Sequence, residues 1–151
     1  MERKQDSEEK KGSIAVVKIK GEVRLSQQVR DTFNALRLYR KNYCVVVPNS
    51  PEFLGMVNKV KDFVTWGEIS DEVLNELVLK KGEEAKGDFS EEAKVKRTDY
   101  HVFSGKKIKK FFRLNSPRKG FGRKGIKTHF NKGGAIGYRG EKISDLIKRM
   151  M

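Results

Sequence analysis

Between Tyr100 and Gly140 the chain carries twelve basic residues and no Asp or Glu. They are Lys106, Lys107, Lys109, Lys110, Arg113, Arg118, Lys119, Arg123, Lys124, Lys127, Lys132 and Arg139. Thirteen apolar residues among those 41 give so many like charges little to fold around, so the segment is expected to order on a polyanion. Elsewhere, 22 basic and 20 acidic residues nearly cancel. Of the net charge of +14, twelve units therefore belong to this one stretch. Such a balance says nothing about fold, but it predicts polyanionic partners.

A core has to come from elsewhere in the chain. Ser13 to Leu79 holds 32 apolar residues in 67, enough for a compact unit within a 151-residue chain. The expected division is a polar tail at 1–12, an α/β core at 13–82, a polar connector at 83–99, and a basic, Gly-rich extension at 100–151 ending in a short helix. The longest apolar runs, Ile14–Val17 and Cys44–Val47, are far short of the roughly 20 residues that cross a bilayer. The first residues, MERKQDSEEKK, have no apolar h-region, so no secretory signal is expected. A single cysteine excludes an internal disulfide and zinc sites needing two or four Cys, and it suits a reducing, intracellular compartment.

Within the core, Ile14–Ile19 predicts a strand ending at Gly21, with Lys18 and Lys20 on its outer face. Ser26 followed by Val29, Phe33 and Leu36 predicts an amphipathic helix to about Tyr39, with Arg30, Arg37 and Arg40 on or near its polar side. Tyr43–Val47, stopped by Pro48, predicts a central buried strand. Ser50-Pro51-Glu52 opens a second helix, since proline suits the first turn and an acid suits the positive dipole end. Thr65–Ile69 predicts a third strand, and Ser70 caps a third helix with Gly82 past its end. Helices on one face of a small sheet make a two-layer sandwich.

The motif Gly120-Phe-Gly-Arg-Lys-Gly125 fits GxGxxG, but it has no strand before it and no helical period after it. A dinucleotide site needs both. No Walker A motif is present. A glycine-rich basic loop lying against RNA fits better. Glycine lets backbone turn sharply and approach phosphates, while Lys and Arg neutralise them. Phe121, Phe130 and Tyr138 interleave with the cations as candidate stacking groups. His101 and His129 have no Cys or carboxylate at ligand spacing, so no metal site is expected. Cys44 reads as a buried small hydrophobe, and Trp66 as core. Asp71-Glu72, Glu83-Glu84 and Glu91-Glu92 provide no acid–base pair in an apolar pocket. No catalytic residue, cofactor or small-molecule substrate is expected.

Several segments together resemble a known family. They are Ile14–Lys20 with Gly21, Thr32–Arg40 (TFNALRLYR), Asn42–Pro48 (NYCVVVP), and Gly55–Met56 through Val60–Ile69 (VKDFVTWGEI). Phe112–Gly120 (FRLNSPRKG), Lys132–Gly140 (KGGAIGYRG) and Ile143–Ile147 (ISDLI) continue the likeness. The family is the archaeal-type L-thirty ribosomal proteins of the large subunit, whose eukaryotic member is also called L-seven. The likeness covers nearly all of Ser13–Met151, and the chain departs from the pattern between Glu83 and Lys110.

The resemblance implies an α+β, ferredoxin-like, two-layer sandwich, with a three-stranded antiparallel sheet, helices on one face and an irregular basic C-terminal extension. It implies a non-enzymatic protein of the cytoplasmic ribosome, bound to large-subunit ribosomal RNA beside neighbouring ribosomal proteins. Carried onto matching motifs, RNA contacts fall on Arg113, Arg118, Lys119, Phe121, Arg123, Lys124, Lys127, Lys132 and Arg139, supported by Arg24, Arg37 and Arg40. The rival is a free RNA-binding or RNA-chaperone module. An RNA-recognition motif would need an aromatic central strand, which YCVVVP is not.

Overall fold

The computed structural model describes residues 12–85 and 100–151. Most of the expected polar tail and connector therefore lies outside the described residues. The element order is β1 (Ser13–Lys18), α1 (Gln27–Leu36), β2 (Tyr43–Pro48), α2 (Pro51–Lys59), β3 (Val64–Ile69) and α3 (Asp71–Lys81). There follow β4 (Tyr100–Phe103), β5 (Lys106–Lys109), β6 (Phe111–Arg113), β7 (Gly137–Tyr138) and α4 (Ile143–Met150). Short 3-10 turns occupy Phe130–Lys132 and Gly140–Lys142.

The helix ends follow from local chemistry. Pro51 and Glu52 open α2, and Asp71 and Glu72 open α3 at its positive dipole end. Lys80 and Lys81 occupy the last turn of α3. Arg37 takes a left-handed conformation (φ 61°) at the end of α1 and donates its amide to the carbonyls of Asn34 and Phe33.

The sheet has five strands in the order β6-β2-β1-β3-β7, not the three expected. β1 is the central strand rather than β2, and it pairs antiparallel with both β2 and β3. The added strands come from the basic segment: β6 runs antiparallel to β2, and β7 parallel to β3. They are only three and two residues long, too short for an alternating pattern to announce them. β4 and β5 form a separate hairpin.

The expected two-layer arrangement is also corrected, because both faces of the sheet are covered. Ile14 and Val16 pack with Phe33, Leu36, Val57 and Val60 under α1 and α2. Their neighbours Ala15 and Val17 point to the other face, as the period of a strand requires. There they meet Val73 and Leu77 of α3 and Ile143, Leu146, Ile147 and Met150 of α4. The basic segment thus contributes to the buried clusters through Ile108 of β5, Phe112 of β6, and Leu114, Ala135 and Ile136 at the ends of one loop.

Lys18, expected on the outer face, is fully buried at the end of β1. Its Nζ donates to Glu22 Oε1 at 2.5 Å and to the Leu38 carbonyl at 3.1 Å, and it lies 4.0 Å from the Phe33 ring centroid. A buried ammonium persists only when so satisfied. Cys44 is buried as expected, and desolvation pushes its thiol up to about 12. Trp66 is half-buried against the α1/α2 side of the core.

Candidate nucleic-acid interface

The strand registers decide where the charged loops emerge. Val17 pairs with Cys44 and Lys18 with Val64, so β1 ends where β2 and β3 begin. Tyr43 pairs with Arg113 and Thr65 with Gly137, so β6 ends and β7 begins at that same end. Five strand termini therefore meet there. The stretches 19–26, 39–42, 60–63 and 114–136 all lead from them. The last is the glycine-rich basic loop.

That loop is built onto the sheet end by backbone contacts. The Leu114 amide donates to the Asn42 carbonyl at 3.2 Å, Asn115 to Met150 at 3.0 Å, and Arg118 to Arg149 at 3.1 Å. The Arg149 guanidinium donates in return to the carbonyls of Arg118 (3.1 Å) and Gly120 (2.8 Å). The far part of the loop closes on itself where Ala135 donates to the Thr128 carbonyl at 2.8 Å. Gly134 permits that closure: a Cβ there would lie 1.9 Å from the Thr128 carbonyl oxygen. Ala135 and Ile136 pack with Ile19, and Phe121 and Ile126 rest against them.

Arg139, expected to face RNA, is buried and serves as an internal tie. Its Nε donates to Thr65 Oγ1 at 2.8 Å, and its Nη2 to the carbonyls of Ala135 (3.0 Å) and Phe121 (3.4 Å). The Phe130 ring centroid lies 4.7 Å from its Cζ. One guanidinium so joins β3 to both limbs of the loop. Burial, then the nearby Arg149, lowers its pKa to about 10. Phe121 is half-buried among apolar neighbours, and Phe130 lies beneath Arg139 and Lys142. Neither ring stands out as a free stacking face. Tyr138 is 51% exposed, but its hydroxyl bonds both Glu68 carboxylate oxygens at 2.7 Å, which holds its pKa above the ordinary value.

The remaining expected residues divide clearly. Arg24, Arg40, Arg118, Lys119, Arg123, Lys124, Lys127 and Lys132 are exposed, and among the described residues none makes an ion pair. Arg113 is different: with Lys109 it pairs to Glu83, whose carboxyl is held below its ordinary value first by the Arg113 hydrogen bond. Arg37 lies apart, along the β2 edge near His101 and Lys110. Lys20, Lys41 and Lys61, absent from the expected set, also belong to the cationic end. The pairing of strand termini assigns them to this end.

Among the described residues, no group of three or more His, Cys, Asp or Glu is placed to hold a metal. Burial, then Lys110 and Arg37, lowers the His101 pKa, while His129 faces Asp62 at 3.7 Å. A hollow of about 280 Å³ between α3, β2 and the β4–β5 hairpin is lined mainly by apolar side chains such as Val46, Leu74, Val78 and Phe112. Among the described residues, no helix is long and apolar enough to cross a membrane.

Residues 14–64 match the family described as Ribosomal protein L30p/L7e. The chain is 42% identical over 149 residues to a large ribosomal subunit protein uL30 of Nanoarchaeum equitans, covering 89% of this chain and 96% of that one. A protein of the same name from Methanococcus maripaludis is 41% identical over 154 residues, covering 92% and 99%. That of Methanopyrus kandleri is 38% identical over 149 residues, covering 88% and 100%.

Proposed function

The chain belongs to the ribosomal protein L30p/L7e family, and on that premise we propose that the cationic end of its sheet holds folded ribosomal RNA. It is a structural constituent of the large ribosomal subunit and not an enzyme. Its partners are large-subunit ribosomal RNA and neighbouring ribosomal proteins, and its place is the cytoplasmic ribosome. The division into a ferredoxin-like core at 13–82 and a basic RNA-binding extension at 100–151 is part of the same proposal.

One observation carries the reading. Six basic side chains of a single loop, Arg118, Lys119, Arg123, Lys124, Lys127 and Lys132, are exposed with no carboxylate partner among the described residues. A folding role would tie such charges to carboxylates or to carbonyls, as Arg139 is tied. Left unpaired, they suit phosphate, where each contact releases counterions. Arg24 and Arg40 extend the set from adjoining loops. Arg139 and Phe121 enter as residues that hold the loop, and Arg113 as one that shares its charge with Glu83.

Sedimentation of a native extract at low salt tests the assignment. The chain should travel with the large subunit and leave it after ribonuclease digestion or high salt. A chain that stays at the top of the gradient under gentle conditions would instead favour the free RNA-binding module.

A further inference from the structure

Three aromatic rings meet at the β2–β6 edge of the sheet. Tyr43 opens β2, Phe111 opens β6, and Tyr39 comes from the loop after α1. Phe111 and Tyr43 stack at 5.2 Å with planes 5° apart, and Tyr39 meets Phe111 in a T-shape at 5.7 Å. Tyr43 and Phe111 rest on the core beneath them, whereas Tyr39 is 45% exposed.

The loop that presents Tyr39 is held by a buried side chain and by hydrogen bonds at both ends. Arg37 and Asn42, at its two ends, both take left-handed conformations (φ 61° and 67°) although neither is glycine. Such residues persist where surrounding contacts dictate them. Between them, Leu38 is fully buried, its amide donates to the Phe33 carbonyl, and its carbonyl accepts from Lys18 Nζ. The result is a fixed support for one exposed ring. Arg40 and Lys41 follow it, exposed and without an ion pair among the described residues. The Asn42 carbonyl joins this loop to the basic loop through Leu114. Tyr138, also exposed, offers the opposite setting because its hydroxyl is bound to Glu68.

We infer that Tyr39, backed by Phe111 and Tyr43, is a stacking platform for one unpaired base of the RNA, with Arg40 and Lys41 on the flanking phosphates. This rests on the RNA-binding reading above. An aromatic face gains by stacking on any unpaired base, and a ring fixed in advance loses little freedom on binding. The adjoining cations favour an RNA occupant over an apolar protein segment.

The test is titration of the full chain with large-subunit ribosomal RNA at several salt concentrations. Tyr39→Ala should weaken binding about 5- to 150-fold, the range for loss of one stacked base, with the slope of log K against log salt unchanged. Tyr39→Phe should bind like the parent, since the ring and not the hydroxyl is used. If Tyr39→Ala binds like the parent while Ala substitutions at Arg118, Lys119, Arg123 and Lys124 still weaken binding, the platform is wrong and the RNA reading stands. If the parent chain does not bind this RNA, the RNA reading itself fails. Equal losses from the Ala and Phe variants would assign the effect to the hydroxyl and overturn the proposal.

Discussion

Arg139 and Lys18 show how little a basic residue's type says about its use. Each is buried, and each bridges segments distant in sequence: Arg139 ties β3 to the basic loop, and Lys18 ties β1 to the loop before β2. Neither is distinguishable in sequence from the cations that face solvent, because the distinction lies in which carbonyls surround the charge. Lys18→Met keeps most of the side-chain volume but leaves the Leu38 carbonyl unpaired. It should destabilise the fold by about 1–3 kcal/mol in urea denaturation, as expected for loss of hydrogen bonds to a charged group. Gly134 is constrained by space alone, with no room for a methyl beside Thr128. Gly134→Ala should loosen the 128–136 closure, seen as faster amide exchange at Ala135 than in the parent.

At the scale of elements, the apolar periodicities of β1, α1, β2, α2, β3 and α3 are legible in sequence, and the structure forms them close to the expected bounds. The sheet's outer strands are not. β6 and β7 owe their place to pairing with β2 and β3, which no local propensity encodes. The C-terminal helix is expected, but not its burial against the face opposite α1 and α2. Leu146→Ala on α4 removes a fully buried side chain and should cost about 2–5 kcal/mol. The loss should appear in the single unfolding transition of the core, whereas a separately folding extension would leave that transition unmoved. Glu83, two residues past the end of α3, pairs with Lys109 of β5 and Arg113 of β6. Its folded pKa lies below the ordinary 4.5, so its contribution is complete above that value. That stability is lost as pH falls through the lower folded value. Urea midpoints of the parent and Glu83→Gln should therefore differ at pH 6 and converge as pH falls below the folded value.

For the whole molecule, the central feature is a group of exposed cations at one end of the sheet that make no ion pair among the described residues. The sequence makes the charged window plain, together with most of its exposed members. It does not reveal that loops at 19–26, 39–42 and 60–63 converge on the same end, because that follows from strand order and register. The most direct test is the salt dependence of full-chain binding to large-subunit ribosomal RNA. Replacing Arg118, Lys119, Arg123 and Lys124 together by Ala should reduce the slope of log K against log salt by about 3–4. An unchanged slope in that variant would contradict the account, because the loop's free cations would then not be meeting phosphate.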